Sequence, residues 1–202
     1  MAQPENIWVG IEVTRQVRVM NGELEAAGKL AVGGVNLLDH QLGVARGITD
    51  ADHICVLTPQ GDETLLEITA RHEAREMAPF DFVAMLSERA GAGQEGAVVL
   101  LRQIAPLRDT EGVREALALL AAHPVVISAA KDARGGRAGD AETDDRCLAF
   151  EIRRISQFSR EAMAAAPTVV EKLIYMESAS YAEYARPSDA ATVEATMKAW
   201  QK

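Results

Sequence analysis

The fold that the sequence predicts is a three-layer α/β/α domain on a mostly parallel sheet, and three observations predict it. Short apolar runs recur along the chain at 7–13, 54–57, 97–101, 125–127, 147–152 and 169–176. Segments with apolar residues at helical spacing separate most of them. The strongest run, Ala97-Val-Val-Leu-Leu101, is continuous, as a strand buried on both faces requires. Apolar runs alternating with helices mean a parallel sheet between helical layers. Ligands of such folds gather at the carboxyl ends of the strands, where strand order reverses. The loops after residues 13, 57, 101 and 127 are therefore where a site is expected.

Taken in order, Ile7, Trp8, Val9, Ile11 and Val13 make the first strand, and Gly10 within it allows a backbone or ligand to approach closely. The polar interval Thr14 to Lys29 carries Arg15, Arg18 and Lys29, and Asn21-Gly22 between Val17/Val19 and Leu24 suits a hairpin. Asn36 is placed to cap a helix over Leu37–Arg46, with Leu38, Leu42 and Ala45 on one face. The strand Ile54–Leu57 leads through Thr58-Pro-Gln-Gly-Asp62 into a helix expected from about Glu63 to Met77. Phe82, Val83, Met85 and Leu86 fit a short helix or a strand. Pro106 ends the central strand in a loop with Arg102, Gln103 and Arg108. Asp109 or Thr110 can cap the helix that follows, through Val113, Leu117 and Leu120, and Val125–Ile127 completes a βαβ unit. Lys131 to Asp145 is too polar and glycine-rich to build a core, which leaves a loop or an arm ordered by a partner subunit. An apolar strand pattern resumes at Cys147–Ile152. Ser159–Ala166 suits a helix, Val169–Met176 a strand, and Asp189 opens a last helix with Val193, Met197 and Trp200 on its apolar face.

The chain has 202 residues, enough to bury a full core, and is expected to form a single domain over 1–202. Its net charge of −9 argues against a nucleic-acid backbone as partner, yet leaves room for a nucleotide held by a few local cations. Cys55 and Cys147 lie far apart without metal-type spacing and read as buried free thiols. No apolar run reaches spanning length and no leader pattern opens the chain, so a cytoplasmic protein without a membrane partner is expected. His40, His53, His72 and His123 are scattered and read as structural; neither serine nor cysteine stands in a nucleophile motif.

Leu100-Leu-Arg-Gln-Ile-Ala-Pro-Leu-Arg108, followed by Asp-Thr-Glu-Gly-Val, resembles the strand, loop and helix of acylneuraminate (CMP-sugar) cytidylyltransferases, Leu-Leu-Gln-Pro-Thr-Ser-Pro-Leu-Arg-Thr-Ala-Glu-Asp-Ile. Gly33-Gly-Val-Asn-Leu-Leu-Asp-His40 is similar to the family's Gly-Gly-Lys-Pro-Leu-Ile-Ala-His. Ile54-Cys-Val-Leu-Thr-Pro-Gln-Gly-Asp-Glu-Thr-Leu65 is similar to its strand, Ser-Thr-Asp turn and acidic helix start. Arg186-Pro-Ser-Asp-Ala-Ala-Thr-Val-Glu194 stands where the family has Asp-Ile-Asp-Thr and an acidic helix. The matches follow the family's order over nearly the whole chain. They imply a nucleotide-diphospho-sugar transferase (GT-A, Rossmann-like) fold and transfer of CMP, or another NMP, from a nucleoside triphosphate to an acidic sugar with release of pyrophosphate. They also imply magnesium and a homodimer, with 131–145 reaching over the partner's site.

Several motif positions depart from the family. Its first strand runs into Pro-Ala-Arg-Gly-Gly-Ser-Lys-Arg, a basic phosphate cradle, where this chain has Glu12-Val-Thr-Arg-Gln-Val-Arg18. Arg15, Arg18 and Lys29 remain as phosphate ligands, while Glu12 would repel phosphate. Pro187 replaces the first metal-binding aspartate, leaving Asp189, whose place just before an apolar-periodic helix reads first as an ordinary helix cap. Arg102 replaces the family's glutamine and puts a permanent cation where an amide reads a neutral group; Ile104 and Ala105 replace two hydroxyl residues, and Arg108 is retained. The expected assignments are Arg15 and Arg108 as catalytic residues, Gly10, Arg15, Arg18, Lys29 and Thr58 toward the nucleotide, Arg102 and Gln103 toward the acid, and Asp189 toward Mg2+. Three functions stay open: a divergent nucleotidyltransferase favouring CTP, a non-catalytic member of the fold serving as partner or regulatory subunit, and an enzyme of the same fold with a rebuilt donor site in which Arg102 reads an anionic group.

Overall fold

The computed structural model describes residues 6–13, 16–18, 23–32, 34–58, 62–102, 106–123, 125–130, 148–164, 171–176 and 189–200. Strand β1 (Ile7–Glu12) buries alternate residues on opposite faces, which is why Val9 and Ile11 pack with one helical layer and Trp8 with the other. The Asn21-Gly22 dipeptide itself lies outside the described residues. The expected hairpin is nevertheless present: β2 (Gln16–Arg18) pairs antiparallel with β3 (Leu24–Ala26). A 3-10 turn, Ala27–Lys29, leads to the short pair β4 (Ala31–Val32) and β5 (Val35–Asn36). Helix α1 (Leu37–Arg46) starts as predicted, the Leu38 amide donating to Asn36 Oδ1 over 2.8 Å.

Strand β6 (Ile54–Leu57) is buried throughout. Helix α2 (Glu63–Arg71) is shorter than the expected Glu63–Met77, because the segment turns at His72–Glu73 and returns as strand β7 (Arg75–Met77), parallel to β6. Glu73 takes φ 56°, and the amides of His72 and Ala74 both donate to the Thr69 carbonyl. The helical spacing of buried residues had already run out: after Leu65, Ile68 and Thr69 the next inward position falls on the polar His72. The ambiguous run at Phe82 is helix α3 (Pro79–Gly91), with Pro79 in the first turn and Phe82 and Leu86 buried one turn apart.

Strand β8 (Ala97–Arg102) is followed by helix α4 (Glu111–Leu119), whose first amide, that of Glu111, donates to Asp109 Oδ1 over 2.9 Å. Strand β9 (Val125–Ala130) follows, then β10 (Leu148–Arg154), the short helix α5 (Arg160–Ala164), β11 (Glu171–Met176) and helix α6 (Ala190–Trp200). Residues 131–145 lie outside the described part.

The main sheet has the order β11-β9-β10-β8-β1-β6-β7. All neighbours run parallel except β10, which is antiparallel to both β8 and β9. The βαβ unit over β8, α4 and β9 is therefore present with a strand inserted at its centre. One face packs on α1, α2 and α4 through Val9, Ile11, Leu38, Leu42, Ile68, Val99, Val113 and Leu117. The other packs on α3 and a 3-10 turn at Ile155–Phe158 through Trp8, Leu57, Phe82, Leu86 and Val98. This is the predicted three-layer α/β/α fold. Helix α6 closes a smaller cluster of its own, Leu30 and Leu37 with Val193 and Met197. No helix among the described residues is long and apolar enough to cross a membrane.

Candidate functional site

The carboxyl ends of β8, β1 and β6 lie side by side, and the polar residues that end these strands define the candidate site. Glu12 and Arg102 are register partners at the last positions of β1 and β8. Being on one face, their side chains meet, and Arg102 Nη1 donates to Glu12 Oε2. Glu12 alone would repel a phosphate; paired with Arg102 its charge is offset. The opposite side of the guanidinium is unmet, since Arg102 Nε is buried without a hydrogen-bond partner. At the end of β6, Thr58 is buried, its amide donates to Met77 O over 3.0 Å, and its hydroxyl likewise has no partner. Buried polar groups are nearly always satisfied, and these two stand unmet at the carboxyl ends of the parallel strands, on opposite faces of the sheet by strand alternation; Trp8 Nε1, Glu76 Oε1 and Arg89 Nε are unmet elsewhere.

Helix α1 fixes the loop that separates these strands from α4. Gln41, fully buried, donates from Nε2 to the Arg102 carbonyl over 3.2 Å. Its neighbour His40 donates from Nε2 to the Leu107 carbonyl over 2.6 Å and stacks on Trp200 of α6, ring centroids 5.7 Å apart. Two adjacent side chains thus hold both ends of the 102–107 loop. The sequence offered a partial signal in the His40 match to the family, but Gln41 shows nothing in its local pattern beyond a polar residue among apolar ones.

The remaining candidates are distributed as follows. Gly10 is buried, and a Cβ there would meet Leu100 at 2.9 Å, Phe82 at 3.0 Å and Leu57 at 3.2 Å, so the close approach at this glycine is made by the protein's own core. Lys29 is paired with Asp62, whose carboxylate also accepts from the Thr64 amide at the start of α2. The hydrogen bond from Lys29 holds the Asp62 carboxyl below the usual aspartate range. Arg108, 54% exposed, stands 3.8 Å from Asp109 and lines an open groove of about 700 Å3 along α6, with Thr192, Thr196 and Trp200. Asp189 immediately precedes α6. Arg18 ends β2, where only its backbone is described, and Arg15 and Gln103 lie outside the described residues. Arg108 is the one described candidate cation that lines the groove, and Lys29 and Asp189 do not. Among the described residues no three His, Cys, Asp or Glu side chains gather where a metal could be held.

A second polar group lies beneath α3, around Trp8. The His53 ring packs 4.4 Å from the indole and the Arg89 guanidinium lies 4.3 Å from its centroid. Cys55 is buried in this layer, and burial pushes its thiol up to about 11 against the opposing pull of Arg75 and Arg89. Such a thiol stays protonated at neutral pH and is no nucleophile, in keeping with the structural role expected for it. Cys147 lies outside the described residues.

The layers and the strand order define a three-layer α/β/α domain on a mostly parallel sheet, with polar residues at the carboxyl ends of its central strands. The solved structures narrow this to the cytidylyltransferase fold. The chain is similar to a CMP:2-keto-3-deoxy-manno-octonic acid synthetase complexed with CTP (TM-score 0.66, 10% identity, covering 96% of this chain and 99% of that one). It is similar to 4-diphosphocytidyl-2C-methyl-D-erythritol synthase from Anaerococcus prevotii (TM-score 0.63, 13% identity, 95% and 98%). It is also similar to HddC from Yersinia pseudotuberculosis complexed with GMP-PN (TM-score 0.62, 8% identity, 93% and 97%). No protein-family model and no curated protein matches the sequence. At these identities the likeness is one of fold, and it agrees with the resemblance carried by residues 100–113.

Proposed function

We propose that the chain is a divergent nucleotidyltransferase that moves CMP, or another NMP, from a nucleoside triphosphate to an acidic sugar or related acid. In that reaction an acceptor hydroxyl oxygen forms a bond to the α-phosphorus and gives up its proton to solvent, the bond from that phosphorus to the bridging oxygen of the β-phosphate breaks, and pyrophosphate leaves. The observation that carries the reading is the pair of buried, unmet polar groups, Thr58 Oγ1 and Arg102 Nε, at the carboxyl ends of the parallel strands. The fold neighbours that bind CTP or GMP-PN support it.

The protein's part in such a transfer is position and charge. Arg15, Arg18 and Lys29, following β1, would face the triphosphate, with Lys29 exchanging Asp62 for phosphate oxygens. Gly10 and Thr58 border the nucleotide side, Arg102 and Gln103 the acid, and Arg108 the growing charge on the leaving group. Magnesium bound to the nucleotide would offset phosphate charge, and its one protein carboxylate in this reading is Asp189. A single carboxylate with phosphates and water is an ordinary magnesium environment. The reading also places the protein in the cytoplasm as a homodimer. Isothermal titration with CTP and magnesium, followed by a pyrophosphate-release assay with N-acetylneuraminate, tests it. Saturable heat and release are expected, and no heat at millimolar nucleotide overturns it.

A non-catalytic role in the same fold is the second reading, and one observation favours it: Lys29 and Arg102 are each held by a carboxylate of the chain itself. Nucleotide binding without pyrophosphate release by any acid tested would select this reading.

A further inference from the structure

We infer that Glu12 is a built-in stand-in for a substrate anion: it occupies Arg102 in the empty protein and yields it to a carboxylate or phosphate oxygen group when ligand arrives. The inference rests on the nucleotidyl-transfer reading for the location of the site, and specifies what the site selects.

The geometry carries it in three steps. Glu12 and Arg102 are bound by strand register at the ends of β1 and β8, so they cannot drift apart when the site is empty. Their side chains are 37% and 22% exposed, which leaves the pair open to an incoming solute while limiting the screening of its charge. Arg102 engages Glu12 through Nη1 and leaves its buried Nε–H without an acceptor. A guanidinium matches an anion best through two parallel N–H donors, and Glu12 satisfies one side of this fork. A free carboxylate or phosphate that takes both Nε–H and an Nη–H makes the more complete contact, and repulsion between its charge and that of Glu12 then drives Glu12 off the guanidinium. Gln41 supports the exchange by holding the Arg102 backbone carbonyl, so that the guanidinium can change partners while its strand stays in place.

The arrangement makes Glu12 a specificity filter. A neutral ligand group cannot displace a carboxylate from an arginine, whereas an anion can, so only anionic ligands recover the cost of displacement. Arg102 then prefers an anionic group where a glutamine would prefer a neutral one.

The test is calorimetric titration of the wild type, Glu12→Gln and Arg102→Gln with three probes: magnesium pyrophosphate, N-acetylneuraminate and CTP with magnesium. Glu12→Gln keeps the shape of the side chain while removing its charge. It is expected to tighten at least one anionic probe by about fivefold, and Arg102→Gln to weaken that same probe by about tenfold or more. Tightening of pyrophosphate and CTP assigns the group to phosphate, and tightening of N-acetylneuraminate assigns it to carboxylate. Equal affinities across the three proteins overturn the inference, as does a failure of every protein to bind any probe. If CTP does not bind but Glu12→Gln tightens N-acetylneuraminate, the nucleotide reading falls and the anion exchange stands. If CTP binds all three proteins alike and the other probes do not respond, the reverse holds. Glu12→Ala provides a second removal of the charge should the glutamine rebuild the contact, and thermal denaturation of each variant verifies that it is folded.

Discussion

Single positions decide how tightly this sheet and its layers are joined. At Gly10 the Leu100, Phe82 and Leu57 side chains already stand where a Cβ would go. Gly10→Ala is therefore expected to destabilise the protein by about 1–3 kcal/mol, read as a lower urea midpoint. Cys55 gives a pH signature. Its thiol is held at about 11 against an ordinary value of 9.0, chiefly by burial, so the folded chain retains a proton that the unfolded chain loses first. The resulting stability is complete below about pH 9 and is lost as pH rises toward 11, on the order of 2–3 kcal/mol. Comparing urea unfolding of wild type and Cys55→Ala across that window isolates the effect, and parallel pH profiles would refute it. The candidate site was legible at this scale only in part. Arg102, Thr58 and the charge of Glu12 could be picked out, because their residue types conflict with their places at the ends of apolar runs. That Glu12 and Arg102 face one another depends on the pairing of strands 90 residues apart, which no local pattern encodes.

At the scale of elements, α1 anchors the site. Its cap at Asn36 sets where the helix begins and so where His40 and Gln41 fall relative to the 102–107 loop. Asn36→Ala is expected to lower stability by about 1 kcal/mol in urea unfolding, with anion binding weakened beyond what the lost stability explains, because the two clamps are displaced together. Elements with a start signal were readable in the sequence: Asn36 before α1, Asp62 before α2, Asp109 before α4 and the Asn-Gly dipeptide in the sequence between β2 and β3. The stop of α2 was not, because Arg71-His-Glu-Ala contains neither glycine nor proline. Its turn is made by Glu73 in a left-handed conformation that the sequence does not advertise. The direction of β10 was equally hidden, since an apolar run reads the same whether its strand runs up or down.

At the scale of the whole molecule, the layer architecture followed from composition and periodicity, whereas the order of strands within the sheet did not. That order has β10 antiparallel between β8 and β9. To one side β8, β1, β6 and β7 form a continuous parallel block that includes the candidate site; to the other, β9 and β11 form a separate parallel pair. Among the described residues the two blocks of the main sheet are joined only through β10, and β10 comes late in the chain. A growing polypeptide that has completed β9 thus carries two open edges, β8 and β9, facing the same gap and awaiting the same strand. Until residues 148–154 arrive, each edge can pair with a second molecule as readily as with its own chain. The seam that unites the sheet is, during synthesis, its most exposed point to misassembly.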